Sequence, residues 1–506
     1  MQLIRVAMLA IVILCRPMRI HGQDSGDRAV PREGIVRTVD LNIGESQTVA
    51  LADGAAVSIK LVALNETRDG LRDAVRESVV TVEISGQTFE LKSGPYRLPL
   101  ALGGVQIDCP VTRGYTLNAR NGTVTAGKAN AWGLRKDVRL RLWPVGSAWM
   151  SPGTFRYPLR QRWFASDTHM SNEPTFVNGD ERIGGQEIYY HYGLDFGGAE
   201  GMVEVVAATD GLVVSAAGDT LPDHADSPAR RRYDVIYIVD ERGWYYRYSH
   251  LKTIDVRAGQ RVQQGQRLGL LGKEGGSGGW SHLHFDVTTR QPSGNWGIHD
   301  AYAYVWEAYR REYAPPVIAV ARPHRLAAVG QSIELDASQS WSSTGTIDRC
   351  SWRFTDGSTA TGGRVERTYS RPGTYSEVVR VADTAGHESI DFAVVQVLDP
   401  HHPDELPPAI HAACSPTLGI RPGDDVTFKV RTFRTTDGSE VWDFGDGSPP
   451  VEVRSDGAVK LLAKDGYAVT THRYAREGTY VARVQRSNRR GETATAHLVI
   501  TVERRE

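Results

Sequence analysis

Along most of this chain, short apolar segments alternate with polar residues one by one and stop at Gly, Asn or Asp. SVVTVEI (78–84), GVQIDC (104–109) and DVRLRLW (137–143) are examples. A period of two puts alternate side chains on opposite faces of a strand, and no helix can satisfy it. The 52 Gly and 24 Pro act in the same direction, because they punctuate turns and interrupt long helices. The fold class this implies is all-β. At ~150 residues per domain, 506 residues make about three or four domains. With 40% hydrophobic and 24% charged residues, a wholly disordered chain is excluded. A formal net charge of -1 excludes overall electrostatic attraction to nucleic acid or to an anionic membrane.

Near the N-terminus, Arg5 precedes the apolar run VAMLAIVILC (6–15), which is far short of the ~20 residues needed to span a bilayer. It reads as a signal peptide over residues 1–22, cleaved near Gly22. Arg16 and Arg19 keep an uncleaved anchor open as the alternative. Cys15 does not suit lipid attachment, because Leu14 before it is too large. No later run is long enough to cross a membrane, so the expected location is periplasm, cell envelope or extracellular space. Removal of the signal leaves Cys109, Cys350 and Cys414, an odd set that implies an unpaired thiol or an intermolecular bridge.

Residues 30–146 read as an N-terminal β-domain without a chemical motif. From Ser147 to Gln186 the pattern is irregular, an arm whose Trp163, Phe164 and Phe176 are expected to pack. VEVVAATDGLVVSAA (203–217) reads as two strands about a Thr-Asp-Gly turn, and DVIYIVDERGWYYRYSHL (234–251) as a second pair. The polar insertion DTLPDHADSPARRR (219–232) between them is expected to be exposed. Tyr302, Val305, Trp306, Tyr309 and Tyr313 then fall at helical spacing, with Asp300 as cap and Pro315-Pro316 as terminator. This helix closes a domain spanning 147–313.

The C-terminal part repeats itself. Trp352-Arg-Phe-Thr-Asp-Gly357 matches Trp442-Asp-Phe-Gly-Asp-Gly447, and TYSRPGTYSEVVRV (368–381) matches RYAREGTYVARVQR (473–486). The second copy carries about fifteen extra residues between these landmarks. The pattern resembles PKD-type domains, which implies two Ig-like β-sandwiches over 315–399 and 407–504, joined by the hinge LDPHHPDELPP. Trp and Phe at i and i+2 share a strand face, so Trp352, Phe354, Trp442 and Phe444 are expected in the cores rather than on a ligand-binding platform. The resemblance implies spacers, or contacts with other proteins or polysaccharide.

Three segments carry candidate chemistry: His191-Tyr-Gly-Leu-Asp195, Ser281-His-Leu-His-Phe-Asp286, and His250 at the end of WYYRYSH. Singly they have ordinary readings, as a surface pair, a hydrogen-bonded sheet pair and a structural histidine. A strand bent at Gly193 can turn His191 and Asp195 toward one point, and period-two geometry puts His282 and His284 on one face. Together the five groups suit a zinc hydrolase, whose catalytic site uses three protein ligands plus water.

The block resembles the lysostaphin/LytM-type zinc metallopeptidases over about 120 residues, in its His-x-Gly-x-Asp, its lone strand-ending His and its His-x-His. VRAGQRVQQGQRLGLLG (256–272), read as a hairpin, and GGSGGWSHLHFDV (275–287) extend the match. Asp286 stands where Glu is common and Trp280 where Pro is common. The resemblance implies an antiparallel β metallopeptidase domain in which His191, Asp195 and His284 bind one Zn2+ per chain. It puts His250 and His282 on the open side. His282 is then the favoured general base and acid and His250 its partner and transition-state stabiliser, with the roles exchangeable.

The substrates this implies are peptidoglycan cross-links or other Gly/Ala-rich peptides, with Gly275–Gly279 beside a narrow groove. His169, Asn172 and Glu173 in the arm either gate that groove or form an ordinary packed loop. Competing readings are a non-hydrolytic scaffold, an adhesion protein with a structural metal, and a lipoyl-like carrier. The carrier lacks a modifiable Lys at its turn, where Gln263 and Gln264 stand. His401 and His402 in the hinge lack companion ligands and are read as solvent-facing.

Overall fold

The alternation folds into two packed four-stranded antiparallel sheets at the N-terminal end. One runs in the order Arg37–Leu41, Val138–Pro144, Val105–Thr112, Leu100–Leu102. The other runs Ser46–Ala50, Ala56–Arg68, Val75–Ile84, Gln87–Ser93. Ile59, Leu61, Val80, Val82, Leu140 and Leu142 meet in the core between them. The computed structural model describes residues 34–116, 130–163, 166–167, 169–171, 190–224 and 226–504. The signal segment 1–22 and Phe164, Asn172, Glu173 and Phe176 lie outside these.

Val138–Pro144 departs from its pattern, since every residue of the strand is buried. Arg139 forms a two-pronged pair with Asp40, at 2.8 Å on each arm, and Arg141 one with Asp108 at 2.9 and 2.5 Å. The face that alternation assigns to water is covered by the next domain, where Arg141 Nη1 donates to the Asp300 carbonyl at 2.5 Å. Paired, these charges are compensated. Removing one partner would strand the other at a cost of about 3–5 kcal/mol.

The central domain is built on a large antiparallel sheet ordered Asp219–Thr220, Gly211–Ala216, Ile236–Val239, Tyr245–Ser249, His282–Arg290, Leu194–Gly197, His169–Ser171. Ile236–Val239 and Tyr245–Ser249 form the expected pair. Two other expected hairpins do not form. Glu204–Val206 and Arg267–Leu271 belong to a separate three-stranded sheet with Leu251–Ile254, while Gly211–Ala216 and Arg261–Val262 pair in the large one. Turn signals fixed where these strands end but not which partner each meets. The polar insertion is mixed rather than uniformly exposed, for Ser227 and Ala229 are buried.

The helix spans Tyr302–Tyr313, and Tyr302, Val305, Trp306 and Tyr309 are buried against Trp163 and Tyr157 of the arm. Asp300 accepts the Tyr302 N–H at 3.0 Å from one position before the cap, and Ala314 ends the helix with a left-handed backbone.

Both repeats bury their Trp-x-Phe pairs in separate cores, Trp352 and Phe354 in one, Trp442 and Phe444 in the other. Their sheets join edge to edge through a parallel pairing at Thr374 and Ala494. Cys109, Cys350 and Cys414 are unpaired and buried. Among the described residues no helix is long and apolar enough to cross a membrane.

Asp167 of the arm ties both repeats to the central domain. Its carboxylate accepts the Ser376 hydroxyl at 2.8 Å and the His497 N–H at 2.9 Å. Burial raises its pKa to about 7, against those two bonds and the charge of Arg322. The folded state thus holds this proton more tightly than the unfolded chain, whose Asp titrates near ~4. Its contribution to stability is therefore lost as pH rises from ~4 to about 7 and is level above that. Thermal melts across this window should show wild type losing ground to Asp167→Asn as pH rises. A pH-independent difference between the two would contradict the assignment.

Candidate metal centre

The site begins with a bend. Tyr190 is anchored on the N-terminal domain, its hydroxyl accepting the Val75 N–H at 2.8 Å and its ring edge-on to Tyr115. Two residues after His191, Gly193 takes φ +76, and a Cβ there would lie 2.8 Å from the Phe285 carbonyl oxygen and 3.2 Å from His284. Only glycine fits this turn from His191 onto the strand Leu194–Gly197. That strand lies against His282–Arg290 with Asp195 opposite His284 and Gly197 opposite His282. On its other side His282–Arg290 pairs with Tyr245–Ser249, which delivers His250 one residue later.

The donor atoms converge. His191 Nε2 is 3.2 Å from His284 Nδ1 and 3.1 Å from Asp195 Oδ2, and His284 Nδ1 is 2.9 Å from Asp195 Oδ1. A tetrahedral zinc with bonds of ~2.0–2.1 Å spaces its ligands by about 3.3 Å. Two imidazole nitrogens and the two oxygens of one carboxylate make contacts within a few tenths of that, so the donor set and its spacing fit the ion.

His284, His250 and His282 are each oriented through one ring nitrogen. His284 Nε2 lies 3.2 Å from Asp286 Oδ2, which receives Arg247 Nη1 at 3.3 Å. His250 Nδ1 is 2.7 Å from the Glu274 carbonyl and 3.5 Å from Asp234, itself gripped by Arg232 through both oxygens. His282 Nδ1 is 3.1 Å from the Trp280 carbonyl, with its ring stacked on that indole at 3.8 Å. Carbonyls and carboxylates only accept, so these nitrogens carry the protons. By that count His250 Nε2 and His282 Nε2 are bare, whereas His284 has a carboxylate oxygen at each of its ring nitrogens. The His250 and His282 rings are 4.7 Å apart, and His282 Nε2 lies 3.7 Å from Asp195 Oδ2.

Charge is arranged to match. Burial opposes ionisation of Asp195, but His191, His282 and His284 outweigh it and hold the carboxyl well below the usual range. Burial pushes His282 well below the ordinary imidazole value despite the pull of Asp195, and lowers His250 likewise. His284 moves up, because Asp195 and Asp286 more than offset its burial.

The profile of peptidase family M23 matches residues 189–295, and PKD domain profiles match 313–397 and 410–502. The chain carries an M23 peptidase domain followed by two PKD domains. The peptidoglycan DD-endopeptidase ShyA of Vibrio cholerae is 31% identical over 137 residues, covering 27% of this chain and 27% of that protein. The chain thus aligns with about a quarter of that relative's length. Among solved structures, the lysostaphin catalytic domain of Staphylococcus simulans is 23% identical over 28% of this chain and 92% of its own, at TM-score 0.21. The M23 protein EnpA from Enterococcus faecalis is 21% identical over 26% and 94%, at TM-score 0.17.

The M23 domain brings together all five residues singled out in the sequence. Of the arm residues, His169 lies on a strand whose backbone pairs beside Asp195 and Phe196. His401 and His402 are exposed, the latter 2.8 Å from Asp399. Sequence reasoning missed Asp234 and Arg232, which stand behind His250. It noticed Asp286 only as a departure from Glu, though the i+2 spacing from His284 puts both on one strand face. Removing such a carboxylate behind a ligating histidine weakens metal binding by about 10–100-fold. Asp286→Ala should do so in a zinc competition titration with a chromophoric chelator, with the fold intact by circular dichroism. Unchanged affinity would mean that Asp286 does not orient His284.

Proposed function

We propose that this chain is an exported zinc metalloendopeptidase that hydrolyses peptide bonds in peptidoglycan cross-links. The observation that carries the reading is the convergence of His191, Asp195 and His284 beside the unprotonated nitrogens of His282 and His250. One Zn2+ held by the three would supply Lewis acidity toward a peptide carbonyl and a water molecule. Wall peptide as substrate rests on the M23 profile together with the peptidoglycan DD-endopeptidase activity for which ShyA is named. Export rests on the signal reading of residues 1–22.

The chain's own groups divide the remaining work. Burial keeps His282 neutral at neutral pH, so its Nε2 is able to accept a proton. The Trp280 ring and carbonyl hold that imidazole in one orientation. His250, fixed by Glu274 and Asp234, keeps its Nε2 side toward His282 and stabilises charge as it develops. Asp195 stays ionised under its three histidines and offsets the positive charge of the ion. The PKD domains are read as contacts to protein or polysaccharide. A non-hydrolytic scaffold is disfavoured, because a scaffold has no use for both bare imidazoles.

Chelation followed by dialysis should abolish release of soluble fragments from purified cell wall, and stoichiometric zinc should restore it. His282→Ala should keep one zinc per chain while losing about 10²–10⁴-fold in rate. His191→Ala should lose the zinc itself. A wild-type protein that holds one zinc and clears no wall substrate would overturn the reading.

A further inference from the structure

The second repeat does not hang free of the M23 domain. Its strand Val426–Phe433 and the long loop after Val451–Val453 close on the Gly-rich approach to His282. Arg431 is the hub, its side chain fully buried. Its Nη1 donates to the Gly279 carbonyl and to the Leu461 carbonyl, both at 2.6 Å. Nε and Nη2 take both oxygens of Asp456 at 2.8 and 2.7 Å, and Nη2 also reaches the Lys460 carbonyl. One guanidinium thus folds the loop and fastens it to the M23 domain.

Two positions further along, the Tyr467 hydroxyl accepts the Ser281 N–H at 2.7 Å and lies 2.8 Å from His411 Nδ1. His411 in turn approaches Trp280, with rings 5.3 Å apart, on the indole whose ring stacks on His282. Lys429 adds a bond to the Glu200 carbonyl at 2.7 Å, and Lys273 of the M23 domain, paired with Glu200 at 2.6 Å, faces the Tyr467 ring. Gly279, Trp280 and Ser281 are the three residues immediately before His282, and each is held from the second repeat.

Asp456, Lys460, Leu461 and Tyr467 lie in the interval that is roughly fifteen residues longer in the second repeat than in the first, while Arg431, Lys429 and His411 precede it. The first repeat closes the same interval with the short strands Thr359–Thr361 and Arg364–Thr368 and has nothing equivalent to Asp456, Leu461 or Tyr467. The longer interval adds Tyr467 to the contacts that Arg431 and Lys429 make with the neighbouring domain.

We propose that Tyr467 and Arg431 of the second PKD domain are positioning residues for the M23 site, fixing the backbone of Gly279–Ser281 so that Trp280 holds His282 in its working orientation. This rests on the peptidase reading above. Neither residue touches the metal ligands or the substrate; they act through the peptide that carries His282. Loss of the Tyr467 hydroxyl should therefore slow the chemical step while leaving substrate affinity and metal binding in place, the signature of misorientation rather than lost contact.

The test uses the full chain. Tyr467→Phe keeps the ring and removes only the hydroxyl, and Arg473→Ala, an exposed position of the same domain, serves as control. Amide exchange followed by mass spectrometry on peptides covering 273–285 should speed up on the order of tenfold in Tyr467→Phe while the strands of the second repeat stay protected. With a soluble cross-linked wall peptide, kcat should fall about ten- to a hundredfold at nearly constant KM, with zinc still one per chain. Arg473→Ala should match wild type in all three.

Unchanged exchange in Tyr467→Phe overturns the proposal, as does faster exchange with full kcat. An increase in KM alone also overturns it, since that would make the loop a substrate contact. If wild type cleaves nothing, the peptidase reading falls and the positioning role of Tyr467 falls with it. An active wild type with an equally active Tyr467→Phe sinks only the positioning role.

Discussion

The antiparallel register of Leu194–Gly197 against His282–Arg290 is the constraint from which the site follows. Asp195 opposite His284 brings a carboxylate and an imidazole within 2.9 Å, and His282 falls opposite Gly197. A slip of one residue would turn His282 and His284 to the other face and put Leu283 and Phe285 where ligands belong. Leu283, Phe285 and Val287 prevent the slip. They are fully buried in the largest core cluster, with Phe285 against Tyr248 and Phe155, so moving them out forfeits about 1.5–3 kcal/mol each. The site is thus specified by the apolar residues interleaved with it.

Burying so many ionisable groups needs compensation, and the chain supplies it in layers. Behind His284 stands Asp286 and behind that Arg247. Behind His250 stands Asp234 and behind that Arg232. Each arginine supports its carboxylate in the charged form, and each carboxylate holds the imidazole in front of it by one ring nitrogen. His282 differs, since a backbone carbonyl and an indole face hold it instead of a carboxylate. Burial holds its pKa well below the ordinary imidazole value against the pull of Asp195, which suits a group meant to gain a proton rather than keep one.

Much of this was legible in the sequence, because short-range patterns produced it. Alternation predicted Val75–Ile84 and Val105–Thr112, helical spacing predicted Tyr302–Tyr313, and the Trp-x-Phe repeats predicted their cores. Gly193 marked the bend. What the sequence concealed is pairing over long distances. VEVVAATDGLVVSAA reads as a hairpin, yet its halves enter different sheets, since a turn signal says only that a strand ends. Arg139 and Arg141 read as solvent-facing by period two, yet Asp40 and Asp108 neutralise them under the neighbouring domain. Nothing local to Asp234 distinguishes it from any polar residue ahead of a strand.

Both flanking domains hold the M23 domain by the same chemistry at corresponding places. Tyr190, directly before His191, accepts a backbone N–H from the N-terminal domain. Ser281, directly before His282, donates its backbone N–H to Tyr467 of the second repeat. A buried tyrosine hydroxyl satisfies one amide and presents a rigid ring to its surroundings, so it fixes backbone with little loss of side-chain freedom. Where such bonds fall one residue from a functional side chain, a displacement of the neighbouring domain is transmitted along a single peptide unit. Domain packing and site geometry are therefore coupled at two points. The first repeat, which lacks the extra loop, meets the central domain through joints such as Asp167 with Ser376.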